Sequence, residues 1–136
     1  NGLAGNKALT LLDINKIAPN SEYVKTAEGL LDYIVGRNPM GISYITGFGE
    51  RSTKAPHHRA SEADTVEAPV PGMLAGGPHV GYQDKAECIN YEQPYDNTYP
   101  AKSYKDHWCS YATNEVAIDW NAGLVYVLAE IRALYQ

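Results

Sequence analysis

Tyr104-Lys105-Asp106-His107-Trp108 leads through Cys109 into Ser110-Tyr111-Ala112-Thr113-Asn114-Glu115, and from there into an apolar run ending near Leu134. The reading of this stretch decides the fold. Val116, Ala117, Trp120, Leu124, Val127, Leu128, Ile131 and Leu134 recur at helical spacing, which predicts a helix from about Thr113 to Leu134. Glu115 then lies in the first turn of a helix, with a second acid, Asp106, and several aromatics upstream. Carboxyl groups that move protons, beside ring faces that hold pyranose sugars, suit carbohydrate chemistry.

Two further helices precede it. Leu3, Ala8, Leu9, Leu11, Leu12 and Ile14 predict one that fades before Pro19. Asn20-Ser21-Glu22 opens another with capping residues and a first-turn acid. Its stripe is Tyr23, Ala27, Leu30, Leu31 and Ile34, and Gly36 before Asn38-Pro39 ends it. From Arg37 to Ala112 no periodicity persists beyond a short extended piece at Ser43-Tyr44-Ile45-Thr46. This stretch holds seven of the eight prolines and seven of the twelve glycines, so it reads as functional loops. Three helices cannot enclose so much loop. The expectation is an all-α fold that forms part of a larger helical body.

At 136 residues, 44% hydrophobic and 20% charged, the chain is globular and of single-domain size. A formal charge of −5 without a basic run argues against nucleic acid as a partner. No apolar stretch approaches spanning length, so no membrane partner is expected. Eleven Tyr against one Phe point to half-wet surfaces where rings pack and hydroxyls bond. Cys88 and Cys109 admit one disulfide or two buried thiols. The chain opens inside a predicted helix, without an initiator Met or a signal peptide, and is read as a processed piece.

Glu115 is the strongest candidate for proton transfer. A helix N-terminus favours the carboxylate, whereas a general acid must hold its proton until it is needed. Burial or a neighbouring carboxylate, with Asp106 the candidate, has to outweigh the helix. An ordinary acidic first-turn residue is the competing reading. His57, His58 and Arg59 follow Pro56 in a loop and can donate to sugar hydroxyls. The alternatives are an incidental surface loop or a metal site joined by His79 and His107, although adjacent histidines lack zinc-site spacing. Gly76-Gly77-Pro78 lacks the Gly-Lys-Ser/Thr element of a phosphate loop. Its glycines permit a tight turn or a close backbone approach.

Taken in order, these pieces resemble the C-terminal part of the catalytic domain of glycoside hydrolase family 9, the cellulases and endo-β-1,4-glucanases. Asn1 to Ile17 is similar to an inner-barrel helix, and Leu31 to Pro39 to a helix end before the substrate loops. One signature runs from Ser43 through Gly49 and Arg51 to Pro56-His57-His58-Arg59. The other runs Tyr104, Asp106, Tyr111, Glu115, Ala117, Asn121 and Ala122, with Gly-Gly-Pro between the two.

The resemblance implies an (α/α)6 barrel whose end loops form a cleft for β-1,4-glucan. Residues 1–136 would be the C-terminal segment of that catalytic domain, with three main helices. Glu115 matches the general acid, Asp106 the signature's second, supporting acid, and His57 and Arg59 the residues that hold sugar hydroxyls. Trp120 falls where the family often has an aromatic close to the cleft, although its helical spacing fits core packing too, and Trp108 and Tyr111 are read as cleft walls. The implied chemistry is hydrolysis with inversion, for which the family draws its base from an Asp-x-x-Asp motif in the N-terminal part. Asp13, Asp32, Asp64, Asp84, Asp96 and Asp119 form no such pair. The remaining N-terminal part of the domain is therefore an expected partner, and this chain alone is expected to be inactive. A non-catalytic glucan-binding or structural piece is the alternative. The segment is expected to need no cofactor and to bind no metal, with structural calcium confined to the portion outside it. Secretion is expected from the polysaccharide substrate.

Overall fold

The structure is a computed structural model that describes residues 1–88 and 98–136; Asp96 lies outside them. Five α-helices and one short 3-10 turn form among the described residues: α1 (Gly2–Ile17), α2 (Ser21–Ile34), α3 (Arg59–Ala63), the turn Pro100–Lys102, α4 (Tyr111–Asn114) and α5 (Ile118–Leu134). The long helices α1, α2 and α5 pack together. The loops between α2 and α5 cover one end of this group.

Local signals set the bounds of α2. The Asn20 side chain accepts the Glu22 N–H at 2.9 Å, which satisfies one of the free donors at the helix start. At the other end Gly36 adopts φ +131°, a region that disfavours side chains, and the Arg37 N–H reaches back to the Asp32 carbonyl at 2.8 Å. Asn38 completes the stop by donating from Nδ2 to the carbonyls of Tyr33 and Ile42.

In α1 the buried residues are Gly2, Gly5, Ala8 and Leu12. Of the stripe read from sequence, Leu3 is 69% exposed and Ile14 also faces outward. The reason is spacing: a Cβ on Gly2 would stand 2.2 Å from Cδ1 of Trp120 on α5, so small residues form the contact. Ala8, Leu12, Ala27 and Val127 make one buried cluster between the three helices. Ile34, Ile42, Tyr44, Ile45, Leu74, Tyr104 and Leu124 make the other, against which Trp120 packs. The predicted extended piece Ser43–Thr46 threads through this second cluster. Ser43 bridges to Ser52 and Ile45 to Leu74, so the loop backbone finds partners without a regular sheet.

The predicted Thr113–Leu134 helix is two helices. α4 ends at Asn114, Glu115 takes φ −57°, ψ 142°, and α5 begins at Ile118 after the extended Ala117. Glu115 therefore follows a one-turn helix; it does not open a long one. Leu128 and Leu134, assigned to the buried stripe, are exposed on α5. Cys88 and Cys109 are joined by a disulfide.

Candidate active site

Three consecutive carbonyls explain the break. The Thr113 carbonyl accepts the Gly77 N–H at 2.7 Å, that of Asn114 the His57 N–H at 2.8 Å, and that of Glu115 the Gly76 N–H at 2.9 Å. Two loops thus take the acceptors that a continuing helix would use internally. His57 pairs with Glu115 in a parallel bridge, and Ala75 with Val116 in an antiparallel one. Gly76 allows this approach, since a Cβ there would lie 3.3 Å from Trp120 and 3.4 Å from the Thr113 carbonyl. The Gly-Gly-Pro element brings backbone to backbone. The Glu115 side chain emerges exposed from the middle of this patch.

His57 stands next to it. Its Nδ1 lies 2.6 Å from the Trp108 carbonyl. A carbonyl only accepts, so Nδ1 is the donor in this contact. The ring stacks on Trp108 with centroids 6.3 Å apart and planes 5° apart, and meets Tyr111 edge-on at 6.0 Å. Tyr111 donates to the Gln83 carbonyl at 2.8 Å. The exposed Glu115 and the rings of His57, Trp108 and Tyr111 thus meet in one patch, joined through the His57–Glu115 backbone pair.

Of the residues read from sequence, the structure brings Glu115, His57, Trp108 and Tyr111 together. Arg59 is exposed two residues beyond His57, at the start of α3. His58 is occupied by capping α3: its Nδ1 accepts the Ser61 N–H at 3.3 Å. Asp106 is hydrogen-bonded to loop backbone. Its two oxygens accept the N–H groups of Lys54 and Ala55, each at 2.9 Å, and so brace the loop that leads to His57. Trp120 lies beneath Gly76 against the core and supports the patch from behind. No three His, Cys, Asp or Glu side chains converge as metal ligands among the described residues.

Sequence reasoning gave no role to Asn114 or Thr53. Both are fully buried, as is Tyr104 nearly, and all three are joined by hydrogen bonds. The contacts span 10 and 51 residues of chain, so spacing alone gives no sign of them. Asn121, read only as a signature position, accepts the Leu74 N–H at 2.9 Å and anchors the Gly-Gly loop to α5.

The family profile of glycosyl hydrolase family 9 matches residues 1–128. A xyloglucan-specific endo-beta-1,4-glucanase of Bacteroides ovatus is 47% identical over 112 residues, which cover 82% of this chain and 18% of that protein. Endoglucanase D of Acetivibrio thermocellus is 37% identical over 129 residues, 95% of this chain and 18% of that one. Among solved structures, a family 9 protein of Bacteroides ovatus superposes with a TM-score of 0.82 at 38% identity, covering 98% of this chain and 21% of its own. AaCel9A in complex with cellobiose-like isofagomine gives 0.81 at 38% identity, with 97% and 24% covered. The chain spans about a fifth of the length of these relatives.

Proposed function

This chain belongs to glycosyl hydrolase family 9, its fold a portion of the (α/α)6 barrel, and we propose that it supplies the proton-donating and sugar-holding half of an inverting β-1,4-glucanase. Glu115 is the general acid that protonates the departing glycosidic oxygen. His57 and Arg59 hold hydroxyls of the sugars beside the scissile bond, with Trp108 and Tyr111 as ring-faced walls. Inversion needs a second carboxylate about 6.5–9.5 Å away to activate water. That base belongs to the remaining part of the barrel, because these residues carry no Asp-x-x-Asp pair. The proposal asks no cofactor of this segment and leaves structural calcium to the portion outside it. No helix of the described residues is long and apolar enough to cross a membrane, and an insoluble or high-molecular-weight glucan calls for an enzyme acting outside the cell.

What supports the reading most is the backbone pairing of His57 with Glu115. It makes the sugar-holding loop and the acid one unit, so a glycosidic oxygen seated by the loop arrives at the carboxyl. In the complete catalytic domain, Glu115→Gln keeps glucan affinity and loses hydrolysis by about a hundredfold or more, as expected when a general acid is removed. Unchanged turnover overturns the assignment. Binding without turnover in the parent domain as well favours a glucan-binding role.

A further inference from the structure

The geometry points to Asn114, Tyr104 and Thr53 as positioning residues that hold the Glu115 carboxyl at the leaving oxygen; this rests on Glu115 being the general acid. α4 is a single turn and cannot hold itself together. Its last residue, Asn114, is fixed on every side. The side-chain Nδ2 donates to the carbonyls of Lys105 and His107, and Oδ1 accepts the Tyr104 hydroxyl at 2.5 Å. The Tyr104 oxygen in turn receives the Thr53 hydroxyl at 2.8 Å. Thr53 lies on the loop that ends in Pro56-His57, and the His57 N–H returns to the Asn114 carbonyl.

Asn114 is thus joined to the His57 loop twice, once through its backbone and once through Tyr104 and Thr53. Glu115 is the next residue, one peptide away, at the point where the chain turns from helix to extended. Any tilt of Asn114 is therefore passed directly to the acid. The chain of hydroxyls is buried, so water cannot replace a missing member. None of the three touches the sugar; each acts through Glu115.

A misplaced acid slows only those bonds whose departing oxygen needs a proton. Cellotetraose leaves an alcohol and depends on the donor, whereas 2,4-dinitrophenyl β-cellobioside leaves a stable phenolate and does not. Tyr104→Phe keeps the ring against Tyr44, where the centroids stand 5.2 Å apart, and deletes only the hydroxyl. In the complete catalytic domain it should lower kcat on cellotetraose by about ten- to a hundredfold, the scale of a small misplacement. On the dinitrophenyl substrate kcat should change by less than about twofold. Thr53→Val, close in shape, should show the same split in milder form, and Thr53→Ser should restore the parent rates.

Thr53→Val and Thr53→Ser carry the test if Tyr104→Phe proves too unstable to purify. Equal losses on the two substrates, or no loss on either, overturn the proposal. Glu115→Gln run beside them separates the two levels. If it lacks the split, the acid assignment itself fails; if it shows the split and the hydroxyl variants do not, only the positioning role fails.

Discussion

At the scale of single residues, spacing within two motifs singles out Glu115 and His57, and the structure pairs their backbones. What their neighbours do is not legible in that spacing. Asp106 reads from sequence as a second acid near Glu115, yet it accepts the N–H groups of Lys54 and Ala55, more than fifty residues upstream. Such a contact exists only once the loops have met. Asp106→Asn leaves one acceptor oxygen for two donors. We expect a loss of about 1–2 kcal/mol in urea unfolding, and in the complete domain a KM that rises more than kcat falls. Equal stability and unchanged KM contradict the bracing role.

The buried tyrosines give a pH dependence of defined sign. Burial pushes the phenols of Tyr44 and Tyr104 well above the usual range, and the charge of Asp106 adds to this for Tyr104. The folded chain then keeps protons that the unfolded chain releases above about pH 10. Stability from these groups is complete below that pH and declines as pH rises towards the folded-state values. Ultraviolet titration should show Tyr44 and Tyr104 ionising late, together with unfolding. Uniform ionisation of all eleven tyrosines near pH 10 contradicts it.

At the scale of elements, legibility tracked how local the signal is. The ends of α2 could be read because Asn20 and Gly36 act within a turn of the helix they bound. The end of α4 could not, because the carbonyls of Thr113, Asn114 and Glu115 are claimed by Gly77, His57 and Gly76 from distant loops. Apolar periodicity runs on through that break, since Val116 and Ala117 are partly buried in extended form as they would be in a helix. Gly36→Ala tests the local half of this account. At φ +131° a side chain is strained, and the expected cost is about 1–3 kcal/mol, read as a lower urea midpoint with an unchanged slope. A midpoint equal to the parent's shows that the turn tolerates a Cβ.

At the scale of the whole molecule, apolar residues face away from the two cores. Ile17 is 86% and Ile118 92% exposed, and Leu3, Val125 and Leu128 share these outer faces. Helices apolar on more than one side belong inside a larger body, which agrees with a chain spanning about a fifth of its relatives. The all-helical character and the membership in a larger body were legible from periodicity and from the excess of loop over helix. The face of α1 turned to α5 was not, because glycines that permit close packing carry no hydrophobic signal. The disulfide between Cys88 and Cys109 was undecidable from sequence, since the approach of two loop positions depends on the fold around them.

The central claim is that these residues hold the acid but not the base of an inverting glucanase. It is tested most directly by following a soluble β-1,4-glucan by proton NMR, with this chain alone and with the chain joined to the rest of the barrel. The account predicts no new reducing ends from the chain alone and, from the joined domain, α-anomers formed first, as inversion of a β bond requires. Reducing ends released by the chain alone, or β-anomers appearing first from the joined domain, contradict it.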